Sequence, residues 1–198
     1  MKRSFSAALA LVLAAPLALV AAPSARAQAT IWKSDPVHSE VDFSIKHLTL
    51  TNVHGRFGAV NATVVYDPSN LAKSSVTATI DVAGVDTGEA ARDNHLKTDA
   101  FFDVSKYATA TFQSTNVAKA ADGLTITGNL TIRGVTKPVV LHVVGPTAPV
   151  TGMDKKQHVG FSATTTIRRQ DWGIGTSFPS SILGDDVSLE IDLDVAQQ

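Results

Sequence analysis

The sequence contains no cysteine. Disulfide scaffolds, thiolate metal centres and cysteine nucleophiles are therefore excluded, and the core alone must supply stability. Glycine and proline are sparse and aperiodic, at 13 and 8 among 198 residues, while 44% of residues are hydrophobic. That balance excludes collagen-like and disordered classes and describes a globular protein of a length that suits one domain. There is no excess of positive charge, with 17 basic against 18 acidic side chains. The nearest thing to a basic stripe is Arg168-Arg169, with Asp171 close behind, which is a poor match for a phosphate-tracking surface. Also missing are a Gly-x-Ser-x-Gly elbow, a phosphate-cradling glycine loop and a dinucleotide fingerprint.

The six histidines, His38, His47, His54, His95, His142 and His158, include no His-x-x-x-His pair. A metal site would need residues brought together by the tertiary fold. His38 follows Asp35-Pro36 in a turn and His47 continues the apolar face of a strand. Neither is expected to bind a metal, and no cofactor is expected.

What the chain does have begins with a leader. Lys2 and Arg3 precede an apolar stretch over 7–22, broken by Pro16, and Ala25 and Ala27 offer small residues for a peptidase. This order reads as a secretory signal cleaved after Ala27, the stretch being shorter than the roughly 20 residues that span a bilayer. Cleavage removes three basic residues and no acidic ones, so the chain from Gln28 has 14 basic against 18 acidic groups, net −4. No later segment is apolar enough to span, and the mature protein is expected outside the cytoplasm.

From residue 28 onward there are 21 Thr, 20 Val and 9 Ile, a β-branched bias that favours pleated sheet. Alternation with period 2 supports this in segment after segment. Val41, Phe43 and Ile45 alternate with Glu40, Asp42, Ser44 and Lys46; Val76, Ala78, Ile80 and Val82 alternate with Ser75, Thr77, Thr79 and Asp81. Leu124, Ile126, Leu130 and Ile132 share a face with Gly128, and Val187, Leu189, Ile191, Leu193 and Val195 lie opposite Ser188, Glu190, Asp192 and Asp194. Less regular strands fit 58–66, 109–117, 137–144 and 159–168, giving eight. Turn residues such as Asp67-Pro68-Ser69-Asn70 and Asp122-Gly123 separate them. Eight mostly adjacent antiparallel strands with one apolar face favour an all-β, up-and-down barrel over a two-sheet sandwich, because closure removes the edges. One short helix is expected over 88–97, capped by Asp86 or Thr87, with Leu96 inward.

An eight-stranded barrel can be filled by side chains or can hold one small ligand. The inward set mixes Phe43, Phe112 and Phe161 with Ala78, Ala110, Ser114, Gly128, Ala163 and Thr165. Either the barrel flattens until these small groups touch, or an elongated apolar channel remains; the pattern alone leaves both open. Such a channel would carry almost no charge, because the alternating carboxylates face outward, and a lipid tail would gain about 0.8 kcal/mol per buried methylene. The densest polar cluster is Arg92-Asp93-Asn94-His95 on the expected helix. It reads either as a local ion-pair and cap network closing the barrel or as a polar mouth for a head group, with Arg92 suited to phosphate or a quinone-like oxygen.

Several blocks then occur in one order: His38-Ser39, Phe43-Ser44-Ile45-Lys46-His47, Gly55-Arg56-Phe57, Arg92-Asp93-Asn94-His95-Leu96 and Phe101-Phe102-Asp103-Val104. They continue with Gly128-Asn129-Leu130-Thr131-Ile132-Arg133-Gly134, Gly160-Phe161, Arg169, Asp171-Trp172-Gly173-Ile174 and Asp186-Val187. This series resembles the YceI-like family over essentially the whole mature chain. The resemblance implies a lipocalin-like, elongated eight-stranded barrel whose apolar pocket holds a polyisoprenoid or similar amphiphile, periplasmic residence and a homodimer. Ala108 and Trp172 depart from the usual pattern, where proline and phenylalanine are common.

The expected function is that of a periplasmic carrier or sequestering protein for an isoprenoid lipid, without chemistry of its own. Its tail channel is expected to be lined by Phe43, Ile45, Val76, Ala78, Ile80 and Phe112, and by Leu130, Ile132, Phe161, Ala163, Leu189 and Ile191. Arg92, Asp93 and His95 are expected at the polar end. The alternatives are an enzyme or redox-accessory protein acting on a quinone-like lipid, with His95 and Asp93 as acid and base, and a ligand-free stress-response partner.

Overall fold

The computed structural model describes residues 29–198. The expected leader and its cleavage point lie outside the described residues. Period-2 alternation produces eleven strands among them: β1 (Thr30–Ser34), β2 (Glu40–His47), β3 (Thr51–Arg56), β4 (Val60–Tyr66), β5 (Ser75–Asp81), β6 (Thr109–Ala120), β7 (Gly123–Ile132), β8 (Val135–Val144), β9 (Val150–Thr151), β10 (Gln157–Arg168) and β11 (Leu183–Gln197). A single α-helix, α1 (Ala90–Leu96), and two short 3-10 turns complete the described elements.

Eight strands close an antiparallel ring in the order β1-β4-β5-β6-β7-β8-β10-β11 and back to β1. All eight expected strands are present; β1, β3 and β9 are additional. β11 is long enough to serve two neighbours, pairing over Leu183–Asp192 with β2 and over Val195–Gln197 with β1. At one end of the barrel β1 therefore fills the eighth place. At the other end the β2–β3 hairpin takes that position.

Alternation governs burial strand by strand. In β7, Leu124, Ile126, Leu130 and Ile132 are all buried while the threonines between them are partly exposed, each buried side chain contributing about 1.5–3 kcal/mol. In β6 the register shifts between Ser114 and Asn116. This bulge moves the inward face from Ala110 and Phe112 to Val117 and explains the irregular pattern of that strand. Gly128 stands beside the Phe112 ring, where a Cβ would come within 2.3 Å of it. At the β1 end Trp32, Val64, Val159 and Val195 form a separate buried cluster.

The helix is shorter than the expected 88–97 and is capped differently. Glu89 is the N-cap, its Oε1 accepting from Ala91 N at 3.2 Å. Asp86 instead accepts from Gly88 N at 2.9 Å, and Thr87 donates its hydroxyl to Asp93 at 2.6 Å. Gly88, at φ +74, turns the chain there, and neither Asp86 nor Thr87 accepts from a backbone N–H of the first helical turn; Thr87 meets that turn only through the Asp93 side chain. Leu96 does pack on the core.

Candidate functional site: two chambers in the barrel

Within the barrel the small inward groups do not meet, and two apolar chambers lie end to end. The outer one, about 380 Å³, is bounded by Phe43, Ile45 and His47 of β2, by Ile132 of β7, and by α1 with the segments around Phe101 and Phe178. The inner one, about 120 Å³, is bounded by Val76 and Ala78 of β5, Phe112 of β6, Phe161 and Ala163 of β10, and Ile191 of β11. Val41, Ile80, Leu130 and Leu189 line both and form the waist between them. Cross-strand pairing places small against large: Ala78 opposes Phe112, Ala163 opposes Ile191, and Gly55 opposes Phe43. The twelve residues expected to line a tail channel thus all face one chamber or the other. A larger concavity of about 950 Å³ lies across the strands, its wall including Ser44, His54, His142, Thr164 and Arg168. Its polar walls suit solvent better than a hydrocarbon chain.

Aromatic residues outside the alternating strands collar the outer chamber. Phe57 sits 5.2 Å from Phe43 and 5.6 Å from Phe102, and Phe101 sits 5.5 Å from Phe178, all between ring centroids. Sequence reasoning missed Phe57, Phe101, Phe102 and Phe178 as wall residues, because they belong to connections that carry no period. The only local signal was the adjacent pair Phe101-Phe102 after the helix.

The three expected polar residues separate. Arg92 lines the outer chamber and donates Nε to Thr87 Oγ1 at 2.7 Å and Nη2 to Thr87 O at 2.9 Å, leaving Nη1 without a partner among the described residues. His95 also lines it, edge-on to Phe101 at 4.9 Å. Asp93 does not face the chamber. Its Oδ1 accepts from Thr87 N at 2.9 Å and from Thr87 Oγ1 at 2.6 Å, so it holds the threonine that holds Arg92. No hydrogen bond joins His95 to Asp93.

The expectation of a nearly charge-free wall needs one correction, Arg169. This side chain is only 2% exposed and borders the outer chamber. Its Nε donates to Gly184 O at 2.9 Å, Nη1 to Ile174 O and Gly175 O, and Nη2 to Phe178 O at 2.8 Å and Leu183 O at 2.9 Å. All five N–H groups are satisfied by backbone carbonyls, which solvate the cation in place of water. Burial still pulls its pKa below the ordinary arginine value. The loop 174–184 is thereby wrapped around one guanidinium. Neither chamber has an aspartate or glutamate in its wall, so whatever charge the walls carry is positive.

A closed antiparallel barrel of eight strands, hollow along its axis and partly roofed by one helix, defines a lipocalin-like class of protein. Within it, the YceI-like domain model matches residues 32–195, and the chain belongs to the YceI-like family. It is 38% identical over 183 residues to a UPF0312 protein of Pectobacterium atrosepticum, covering 91% of this chain and 92% of that protein. Among solved structures, the Campylobacter jejuni YCEI protein is similar at 34% identity and TM-score 0.65, over 77% of this chain and 90% of that one. A polyisoprenoid binding domain from Saccharophagus degradans shares the fold at 16% identity and TM-score 0.62, over 86% of this chain and 100% of that one.

Proposed function

We propose that the protein binds and carries, or sequesters, an isoprenoid or similar long-chain amphiphile in the periplasm. The observation that carries this reading is the pair of chambers sharing a waist of four side chains, lined mainly by apolar groups and without carboxylates. A hydrocarbon tail fits both in series; about 27 Å³ per close-packed methylene gives the outer chamber room for roughly fourteen carbons and the inner one for about four. The head group sits at the end where Arg92 and His95 line the wall. Guanidinium groups without a facing acid favour an electron-rich oxygen, such as a quinone carbonyl or a phosphate, and disfavour a cationic head.

Binding rather than catalysis is supported by the fate of the Asp93 carboxylate, which is occupied by Thr87 and forms no acid–base pair with His95. The Saccharophagus domain adds support through its name alone, since at its identity it shares only the fold. Export through a cleaved leader fits the apolar stretch over 7–22, and among the described residues no helix is long and apolar enough to cross a membrane. Pairing into a homodimer is part of the same proposal. The test is mass spectrometry of the organic extract of protein purified from its native compartment. A stoichiometric long-chain amphiphile is expected; protein that is lipid-free on extraction, and that takes up no prenol or quinone in vitro, overturns the proposal.

A further inference from the structure

At the β1 end of the barrel, four separate stretches of chain bring three carboxylates and two imidazoles together. Asp35 and His38 come from the β1–β2 loop, Asp154 from the β9–β10 turn, His158 from β10 and Asp194 from β11. The ligand atoms of Asp35, His38 and Asp194 all lie within 4.8 Å of one another. His38 Nδ1 is 2.8 Å from Asp35 Oδ2, and His158 Nδ1 is 2.6 Å from Asp194 Oδ1. His158 Nε2 reaches Asp154 Oδ1 at 3.1 Å.

The frame under these groups is fixed by the backbone. Asp35 N donates to Asp194 O at 2.8 Å, and Ser39 Oγ bonds both the carbonyl and the N–H of residue 194 at 3.2 Å. Asp35 Oδ1 is occupied by Val37 N at 2.9 Å, which leaves Oδ2 to face His38. Among the described residues, no lysine or arginine forms an ion pair with Asp35, Asp154 or Asp194. With its carboxylates ionised, the cluster keeps at least one net negative charge whatever the state of its imidazoles.

Although the spacing around His38 in the sequence argued against a metal ligand there, the fold brings it to Asp194, and we propose that this cluster is a binding site for a divalent cation of the zinc class, with Asp35 Oδ2, the His38 imidazole and Asp194 as ligands and His158 bracing Asp194. Ligands around such an ion stand about 3.4 Å apart when bonds are near 2.1 Å and angles tetrahedral, so the side chains need shift by only about an ångström. An imidazole nitrogen with two carboxylate oxygens suits zinc, whereas calcium and magnesium prefer all-oxygen sets. The brace on Asp194 is the kind of outer contact that orients a metal-bound carboxylate. Eleven residues of β11 separate Asp194 from Leu183 at the outer chamber, about 36 Å along a strand, and Asp194 lies on the face of β11 opposite Leu193, which lines the inner chamber, so the cluster is outside the barrel wall.

The test is calorimetric titration of ZnCl2 into untagged protein stripped with EDTA, with CaCl2 and MgCl2 in parallel. One equivalent of zinc is expected to bind, calcium and magnesium far more weakly. His38→Gln and Asp194→Asn are each expected to weaken zinc at least about tenfold, while His142→Gln, on the outer face of β8, leaves it unchanged. The His38 side chain is 67% exposed, so His38→Gln keeps the fold even if Asp194→Asn does not. Absence of saturable zinc binding, wild-type affinity in His38→Gln, or equal loss in His142→Gln overturns the proposal.

Discussion

Ala163→Phe tests the two-chamber reading most directly. Ala163 is buried on the inward face of β10 and borders the inner chamber of about 120 Å³. Phenylalanine adds roughly 100 Å³ of side chain, enough to fill that space with little overpacking. The outer chamber of about 380 Å³ does not include Ala163 in its wall. A tail that reaches past the waist then loses burial of about four methylenes, near 3 kcal/mol, or on the order of 100-fold in affinity. A tail short enough to stop at the outer chamber loses nothing. The assay is a titration series of prenols of increasing length against wild type and variant, with thermal melting to show that both are folded. Affinity should rise with chain length in the wild type and level off early in the variant. Equal losses for short and long chains, or no loss for long ones, would refute the assignment of the inner chamber to the tail.

Arg169→Met strands five backbone carbonyls and should cost more than about 3 kcal/mol, lowering Tm by roughly 10 °C in a scanning calorimeter. A melting curve close to wild type would show that the loop 174–184 does not depend on that guanidinium. Gly128→Ala should destabilise by about 1–3 kcal/mol in urea, because its Cβ meets the Phe112 ring; combining it with Phe112→Leu should recover part of the loss, and strictly additive effects would contradict the contact. Hydrogen bonds from Ser69 hold the Asp67 carboxyl below its usual pKa, and Lys106 does the same for Asp103. Depressed acids stabilise the fold fully above the unfolded carboxylate value, near pH 4, and that contribution is lost as pH falls through the folded values. Tm should therefore drop below about pH 4 and less steeply in Asp67→Asn, and an unchanged acid limb in that variant would contradict the assignment.

The sequence was sufficient for everything that depends on local period. Alternation over residues 40–47, 75–82, 124–132 and 187–195 defines which side chains face inward, because a strand exposes its two faces in strict succession. Nine of the twelve expected lining residues come from these runs and border a chamber; Phe112, Phe161 and Ala163 do so from the less regular strands β6 and β10. What alternation cannot supply is meeting between distant segments. β1 is five residues long, too short to show a period, yet it completes the ring because β11 is long enough to have an edge left over for it beyond β2. Phe101, Phe102 and Phe178 close the outer chamber from irregular connections, where side-chain direction follows tertiary contact. Asp93, read as a polar group at the mouth, is turned to Thr87 by a local hydrogen-bond competition that residue type does not reveal. Whether the barrel was filled or hollow depended on how far apart the walls stand, and only closure at eight strands sets that distance. Arg169 is the sharpest case: in sequence it is one of two adjacent arginines, and only the fold wraps five carbonyls around it, because a buried cation without an acid must find its solvation in the backbone.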